Sequence, residues 1–430
     1  MPKDPPLLAP AATGKATGAR PPERVGRLLV VLAALGAVAP LATDMYVPGF
    51  PGLVRSLGTT GSSVQLSMTA FLIGLALGQI LLGPVSDAVG RRRVLLWGSA
   101  LFTVFSLVCA LAPNIDVLNV ARLLEGVAGA AGMVVGRAVL TDRFHGTPEA
   151  PRHFATLSVI GSIAPVVAPV LGGAILGFAS WRIVFAALTG FGVLLVLGVL
   201  AWAPESLPAS RRHSGGVSST FRAIGGLFGR RALMGYVLTS SFSGAALFTY
   251  IAGSAFVFQD VYGVSPTQYS LIFAVNALGM LVGGIVFGRI ASRVGINALL
   301  VVGLGTALVA TAVLLLVLVT TGGGLVVTWV CLFLVIVGFG LVLPASTTVV
   351  QALGHDAPGA TSGLLGGTQF VLGAAASPLA GLFGTDSATP TAAVMLVALV
   401  LSVLALVFAR PWQGHGETVR LSGSSTTPGA

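Results

Sequence analysis

Charge is what this sequence has least of. Only 8% of its 430 residues are Asp, Glu, Lys or Arg, roughly a third of the share with which an ordinary globular chain solvates its surface. With 55% apolar residues and a mean hydropathy of +0.96, a water-soluble fold is excluded and the solvent is lipid. Cysteine is almost absent: Cys109 and Cys331 both lie inside apolar runs, where isolated thiols act as small packing residues. All five histidines, His145, His153, His213, His355 and His415, fall in loops or tails, which excludes a histidine proton relay within the membrane. There is no Walker motif, no metal-ligand spacing and no nucleophile beside a base. ATP-driven pumping and membrane enzymology therefore lack support, and neither cofactor nor metal is expected. Glycine is abundant at 58 residues but shows no G-x-y period, which excludes collagen and suits closely packed membrane helices. The net charge of +10 comes from basic residues scattered between apolar runs. They make no phosphate-tracking stripe, so no nucleic-acid partner is expected.

A membrane-crossing helix needs about 20 mostly apolar residues. Twelve such runs are present, near 28–49, 64–83, 94–112, 117–140, 154–178, 182–203, 231–258, 268–290, 296–320, 323–348, 360–384 and 389–410. The first is too long for a cleavable signal and ends in no small-residue cleavage site. Basic residues set the orientation, because loops on the cytoplasmic side are enriched in Lys and Arg. The amino-terminal tail carries Lys3, Lys15, Arg20, Arg24 and Arg27, and the loops after even-numbered spans carry Arg91, Arg92, Arg93, Arg143, Arg152, Arg211, Arg212, Arg222, Arg230, Arg231, Arg289 and Arg293. The opposite loops hold Arg55 and Arg182 alone. Both termini are expected in the cytoplasm, with the chain in the cytoplasmic (inner) membrane.

The expected organisation is a tail over 1–27, a six-helix bundle over 28–203, a linker over 204–230, a second six-helix bundle over 231–410 and a tail over 411–430. The linker is rich in Pro, Ser, Gly and Arg and too polar to bury a core. Gly83, Asp87 and Gly90 recur at one constant offset as Gly288, Ser292 and Gly295, each trio following the second span of its half. That shared position points to duplication, and duplicated halves are the architecture of a transporter with its site at their interface.

Four stretches resemble the major facilitator superfamily, and within it the twelve-span drug/proton antiporters of the bicyclomycin and chloramphenicol resistance branch. GPVSDAVGRRR at 83–93 is similar to the superfamily's cytoplasmic loop signature. GSIAPVVAPVLGGAI at 161–175 resembles the antiporter motif of the fifth helix, with Gly161, Pro165, Gly172 and Gly173 in place. LATDMYVPGFPGL at 41–53 and GATSGLLGGTQFVLGAAASPLAG at 359–381 resemble the branch's first and eleventh helices. The fourth-helix motif keeps Arg122 but has Glu125 where the family usually has glutamine. The resemblance implies an all-α fold of twelve transmembrane helices in two pseudo-symmetric bundles. It also implies a monomer in the lipid bilayer that exchanges protons for small amphipathic drug-like substrates. Two alternatives stay open: an exporter or facilitator of an endogenous metabolite, and a non-transporting sensor or scaffold on the same fold.

Ionisable groups inside hydrocarbon cost a few kcal/mol each and mark function by default. Asp44, Arg122 and Glu125 are the candidates for proton coupling. At about 1.5 Å per residue, Asp44 lies roughly 25 Å along the first helix from Arg27, and Arg122 roughly 9 Å inward from Asp116. Both depths fall in the outer half, so the two could meet if their helices are neighbours. Asp44 is then either a proton carrier tuned by desolvation and by Arg122 in opposite senses, or half of a static tether. Glu125, three residues after Arg122, is either its local partner or a second proton site. In the loop signature, Gly83 and Gly90 permit close approach and a tight turn, and Arg92 and Arg93 fix topology. The resemblance implies that Asp87, Arg91 and Asp142 form a charge network that holds the outward-facing state. On the fifth helix, Pro165 and Pro169 delete backbone hydrogen bonds while Gly161, Gly172 and Gly173 allow close packing. Tyr46, Phe248, Tyr250, Asn276, Gln369 and Phe370 are aromatic or amide side chains within spans that could grip a substrate.

Overall fold

Lipid offers the backbone no hydrogen-bond partner, so a chain this apolar must satisfy its amides within each segment, and only helices or closed barrels do so. The computed structural model describes residues 22–144, 146–212 and 216–409, and the described residues are helical with short connections. His145, His213, His415, most of both tails and the basic residues Lys3, Lys15 and Arg20 lie outside the described residues.

The spans, in chain order, are α1 (in four pieces, Pro22–Gly36, Val38–Asp44, Val47–Gly49 and Phe50–Leu57), α2 (Gly61–Val89), α3 (Arg91–Leu111), α4 (Ile115–Phe144), α5 (Ala150–Leu176) and α6 (Trp181–Trp202). The second half has α7 (Arg231–Phe256, extended by a π-helical turn Val257–Val261), α8 (Pro266–Val294), α9 (Ile296–Thr321), α10 (Leu325–Leu353), α11 (Pro358–Ala376) and α12 (Thr389–Ala409). Eleven of these are long and apolar enough to cross a membrane. The exception, α11, is diluted by glycine and threonine, and its neighbours explain that composition: Gly366 and Gly367 face Gln79 and Ile80 of α2, while Gly373 abuts Phe248 of α7. A helix wedged between the halves faces protein more than lipid.

The duplication extends beyond the loop signature. Helices α2 and α8 each have 29 residues, each is capped by a hydroxyl, Thr60 or Ser265, and each ends in a glycine at positive φ, Gly90 at 103° and Gly295 at 93°. The residue that turns each of these helices into the next must adopt a backbone open to glycine and few others. Within the first half α4 packs on α2 and α3, and α3 on α6; within the second, α7 packs on α10, α11 and α12, and α10 on α8 and α9. The halves meet chiefly along α2 with α11 and α5 with α8.

The linker is more ordered than its composition suggests. Residues Gly216–Leu227 form a helix against α2 and α11, with Ile224 and Leu227 buried one turn apart. Those two apolar residues at helical spacing give a polar segment one face to bury. Where the linker enters α7, Arg230 donates to both carboxylate oxygens of Asp356, at 2.6 and 2.5 Å. That bond holds the Asp356 carboxyl down at about 2, so the pair is lost only as pH falls through that value. It is exposed, and such pairs add little stability.

Candidate functional site

Alternation of the spans puts the ends bearing Arg91–Arg93, Arg143, Arg230 and Arg293 on one face, here called the basic end. A cavity of about 850 Å³ lies between the halves. It reaches the basic end at Arg137, Phe154, Leu157 and Leu343 and is deepest at Asp44 and Tyr250. Beyond that depth the halves are joined. Gln65 donates to the Ala252 carbonyl (3.2 Å) and accepts from the Gly381 amide (3.0 Å), Gln259 donates to the Pro48 carbonyl (2.8 Å), and Thr69 donates to the Ala374 carbonyl (2.9 Å). A groove of similar size between α7, α11 and α12 is walled by Phe242, Leu372, Phe383 and Val397. It is apolar and faces outward, with Phe383 74% exposed, so it offers lipid contact rather than chemistry.

Asp44 occupies a break in α1. Pro40 and Pro48 supply no amide hydrogen, the helix stops at Asp44, and a single turn of 3-10 helix follows. The carboxylate is 5% exposed, lines the cavity, and its Oδ1 has no hydrogen-bond partner. The break is held from outside by α5. A Cβ on Gly172 would stand 1.9 Å from the Met45 carbonyl oxygen, so only glycine lets α5 reach the residue after Asp44. Gly173 likewise receives Ser270 of α8. Gly161 behaves differently: nothing lies within 4 Å of its Cβ position, and with Pro165 it lines the cavity. Pro169 is buried within α5. Gly172→Ala is therefore expected to cost on the order of 1–3 kcal/mol or more through overpacking against backbone that cannot yield. Gly161→Ala should be neutral, and thermal unfolding of both variants in detergent checks the contrast.

Arg122 does not meet Asp44. Its Nη1 donates to Glu125 Oε2 at 2.6 Å and its Nη2 to the Ala42 carbonyl at 2.9 Å. The guanidinium lies over the rings of Phe71 and Tyr46, at 4.1 and 4.4 Å. Ser106 donates to Glu125 Oε1 at 2.6 Å, and the Cys109 thiol lies 3.7 Å from Oε2. Arg122 and Glu125 are both fully buried, and neither lines the cavity. Equal depth was not enough: the azimuth of α4 turns Arg122 into the first bundle, onto its own i+3 neighbour.

The loop signature forms a network between the first half and the start of the linker. Arg91 pairs with Asp87 (2.6 Å) and Asp142 (3.2 Å) and donates to Ser86 Oγ (2.5 Å). Its amide donates to Glu205 Oε1 (2.9 Å). Asp142 also accepts from Ser206 (3.0 Å), and Glu205 pairs with Arg212 (3.7 Å). Among the described residues no member reaches the second half, and the network is intact while the cavity is open at the basic end. It therefore does not act here as a bond between halves that breaks on opening. Gly90, at its centre, has a positive φ and would bring a Cβ to 2.5 Å from Glu205 Oε2. Gly83, by contrast, has ordinary clearance, 3.7 Å from Val134.

Of the six proposed gripping residues, Phe248, Tyr250 and Phe370 line the cavity. Tyr46 instead bonds Ser67 (3.2 Å) and packs on Phe50, Phe185 and Arg122. Asn276 lies behind Tyr250, donating to its hydroxyl at 2.9 Å, and Gln369 packs against Gly244. Sequence reasoning missed Arg137, a cation inside the fourth span that reaches the cavity, and Gln65, an amide in an apolar run that clasps the other half. It also missed Glu205, whose role depends on the linker folding back, and Trp329, which donates to Asn276 Oδ1 at 3.0 Å. For Arg137, Gln65 and Trp329 the available signal was a polar atom in an apolar span that had to find a partner.

Residues 32–378 match the model of the Major Facilitator Superfamily. The chain is 41% identical over 381 residues to the uncharacterized MFS-type transporter YdgK of Bacillus subtilis (strain 168), covering 88% of this chain and 94% of that one. It is 27% identical to a bicyclomycin resistance protein homolog of Haemophilus influenzae, over 88% of this chain and 95% of that one. To a chloramphenicol resistance protein of Pseudomonas aeruginosa it is 28% identical, over 93% and 95%. In fold it superposes on the crystal structure of the nucleoside transporter NupG with a TM-score of 0.71 at 16% identity, over 90% of this chain and 98% of that one. Two six-helix halves around a shared cavity, with these relatives, place the chain as a multi-pass membrane transporter. It belongs to the Major Facilitator Superfamily, in the branch of the bicyclomycin and chloramphenicol resistance proteins.

Proposed function

We propose that this protein exports small amphipathic compounds in exchange for protons by alternating access, with Asp44 as the proton carrier. The observation that carries the reading is Asp44 itself: an acid at the floor of the cavity between the halves, with one carboxylate oxygen unpartnered. An ionisable group in a membrane core is expensive, so its presence points to function. Arg122 and Glu125, sealed from the cavity and neutralising each other, are the static clamp that holds α4 to α1 through the Ala42 carbonyl. With the basic end in the cytoplasm, the cavity faces the cytoplasm. A substrate entering between Phe248, Phe370 and Tyr250 then displaces the proton from Asp44 on that side. After the halves rock, Asp44 takes up a proton outside as the substrate leaves. The drug-resistance names of the relatives support this substrate class for the chain.

The test is a panel of amphipathic compounds added to everted vesicles that hold a preformed pH gradient. Compounds that are substrates should dissipate the gradient in vesicles containing the protein and not in empty ones; a panel that never does so sinks the antiport reading. Asp87→Asn loosens Arg91 in the network that ties the turn between α2 and α3 to α4 and the linker, so in the same vesicles transport should slow severalfold while equilibrium substrate binding stays within about twofold. Asp87 is half-exposed and shares Arg91 with Asp142, so its loss costs under about 1 kcal/mol of stability. A large affinity loss at unchanged rate would count against a role in the conformational cycle.

A further inference from the structure

The polar chain from Trp329 through Asn276 to Tyr250 has a direction. An indole N–H donates and cannot accept, so Trp329 fixes which end of the Asn276 amide faces it. With Asn276 Oδ1 accepting from Trp329 (3.0 Å), its Nδ2 must point the other way and donates to the Tyr250 hydroxyl oxygen (2.9 Å). The Tyr250 hydrogen is thereby turned away from Asn276. Among the described residues it has no acceptor, although Tyr250 is buried and lines the deep part of the cavity, with its ring stacked 5.5 Å from that of Phe273.

The other polar side chains of the cavity divide simply. Arg137 lies toward the basic end, Ser162 lies on α5, and the Thr43 hydroxyl is spent on the Ala39 carbonyl at 2.9 Å. What remains at depth is one fixed donor, Tyr250 of the second half, and one unpartnered acceptor, Asp44 Oδ1 of the first. We propose that Tyr250 is the specificity-determining donor of the cavity, aimed by Trp329 through Asn276. It selects amphipathic ligands that carry an acceptor oxygen, such as an amide carbonyl, beside a donor that Asp44 can take. This inference rests on the export reading above and names the substrate class of the same cavity. A site built around a buried donor discriminates strongly against ligands that leave the donor unpaired.

The test measures equilibrium binding of two probes to the full-length protein in detergent. One is chloramphenicol, a neutral amphiphile with an amide carbonyl and hydroxyls. The other is tetraphenylphosphonium, an apolar cation with no hydrogen-bonding atom. Tyr250→Phe keeps the ring and should weaken chloramphenicol about tenfold while changing tetraphenylphosphonium less than twofold. Trp329→Phe touches no ligand, but it frees Asn276 to flip and capture the Tyr250 hydrogen. It should weaken chloramphenicol about fivefold, again without effect on the cation, and thermal unfolding establishes that both variants fold. An equal loss for both probes would mean that the hydroxyl serves packing or Asp44 rather than the ligand, and would overturn the proposal. So would unchanged chloramphenicol binding in Tyr250→Phe, or a wild-type protein that binds the cation alone. If the wild type binds neither probe, this inference falls, while the export reading stands or falls on the vesicle panel.

Discussion

The variant Asp44→Asn is expected to insert and fold as the parent does and to lose substrate-driven proton release down to the level of empty vesicles. Asparagine preserves the volume and one acceptor oxygen of the side chain, so the break in α1 and its contact with Gly172 survive. The exchangeable proton does not. No second acid in the cavity can replace it: among the residues that line the cavity, Asp44 is the sole carboxylate, and Glu125 is locked to Arg122 and Ser106. The measurement is substrate-induced dissipation of a pH gradient in everted vesicles, with protein content and thermal stability recorded beside it. Full proton release by Asp44→Asn would mean that Asp44 is not the carrier and would return attention to Glu125.

Arg122→Ala has the second large expected effect, and it falls on stability first. The pair is wholly buried, so removing the cation leaves the Glu125 carboxylate with two weak donors in a dry bundle, at a cost of about 3–5 kcal/mol. The stacking on Phe71 and Tyr46 and the hydrogen bond to Ala42 go with it. Little folded protein should be recovered, and alkaline buffer should not restore exchange, because the lost partner is Glu125 and not Asp44. Replacing both residues by leucine removes the orphaned charge and should recover much of the loss, since buried ion pairs are often exchangeable for apolar side chains. Glu125→Gln, which keeps an acceptor oxygen for Arg122, should fall between. Size-exclusion profiles and thermal unfolding in detergent decide the ranking. If Arg122→Ala folds normally and recovers transport only at alkaline pH, Arg122 serves Asp44 in the working protein.

Where helices lie along this chain was legible because lipid makes hydropathy nearly equivalent to secondary structure. The starts of α2 and α8 follow from Thr60 and Ser265, and the junctions of α2 with α3 and of α8 with α9 follow from Gly90 and Gly295. Even the repeat was visible, because Gly90 and Gly295 answer the same backbone demand at the same offset. α1 was legible as a span but not as a broken one. Its prolines were in plain view, yet the turn they produce at Asp44 is completed by Gly172, which comes from a distant part of the chain.

What the sequence determined by itself was lipid as solvent, the all-helical fold in two related halves, and the scarcity of intramembrane charge that singled out Asp44, Arg122 and Glu125. Those properties depend on composition and on order along one dimension, and both are written in the chain. The tertiary structure alone decided where the side chain of each of the three sits. It turned Arg122 onto Glu125, left Asp44 open to the cavity, sent Tyr46 into the bundle and Tyr250 to the cavity floor, and folded Glu205 back onto Arg91. Each of those outcomes depends on how far a helix is rotated about its own axis and which neighbour it meets. Depth along a helix can be counted in residues, but rotation is set only when all the helices pack together.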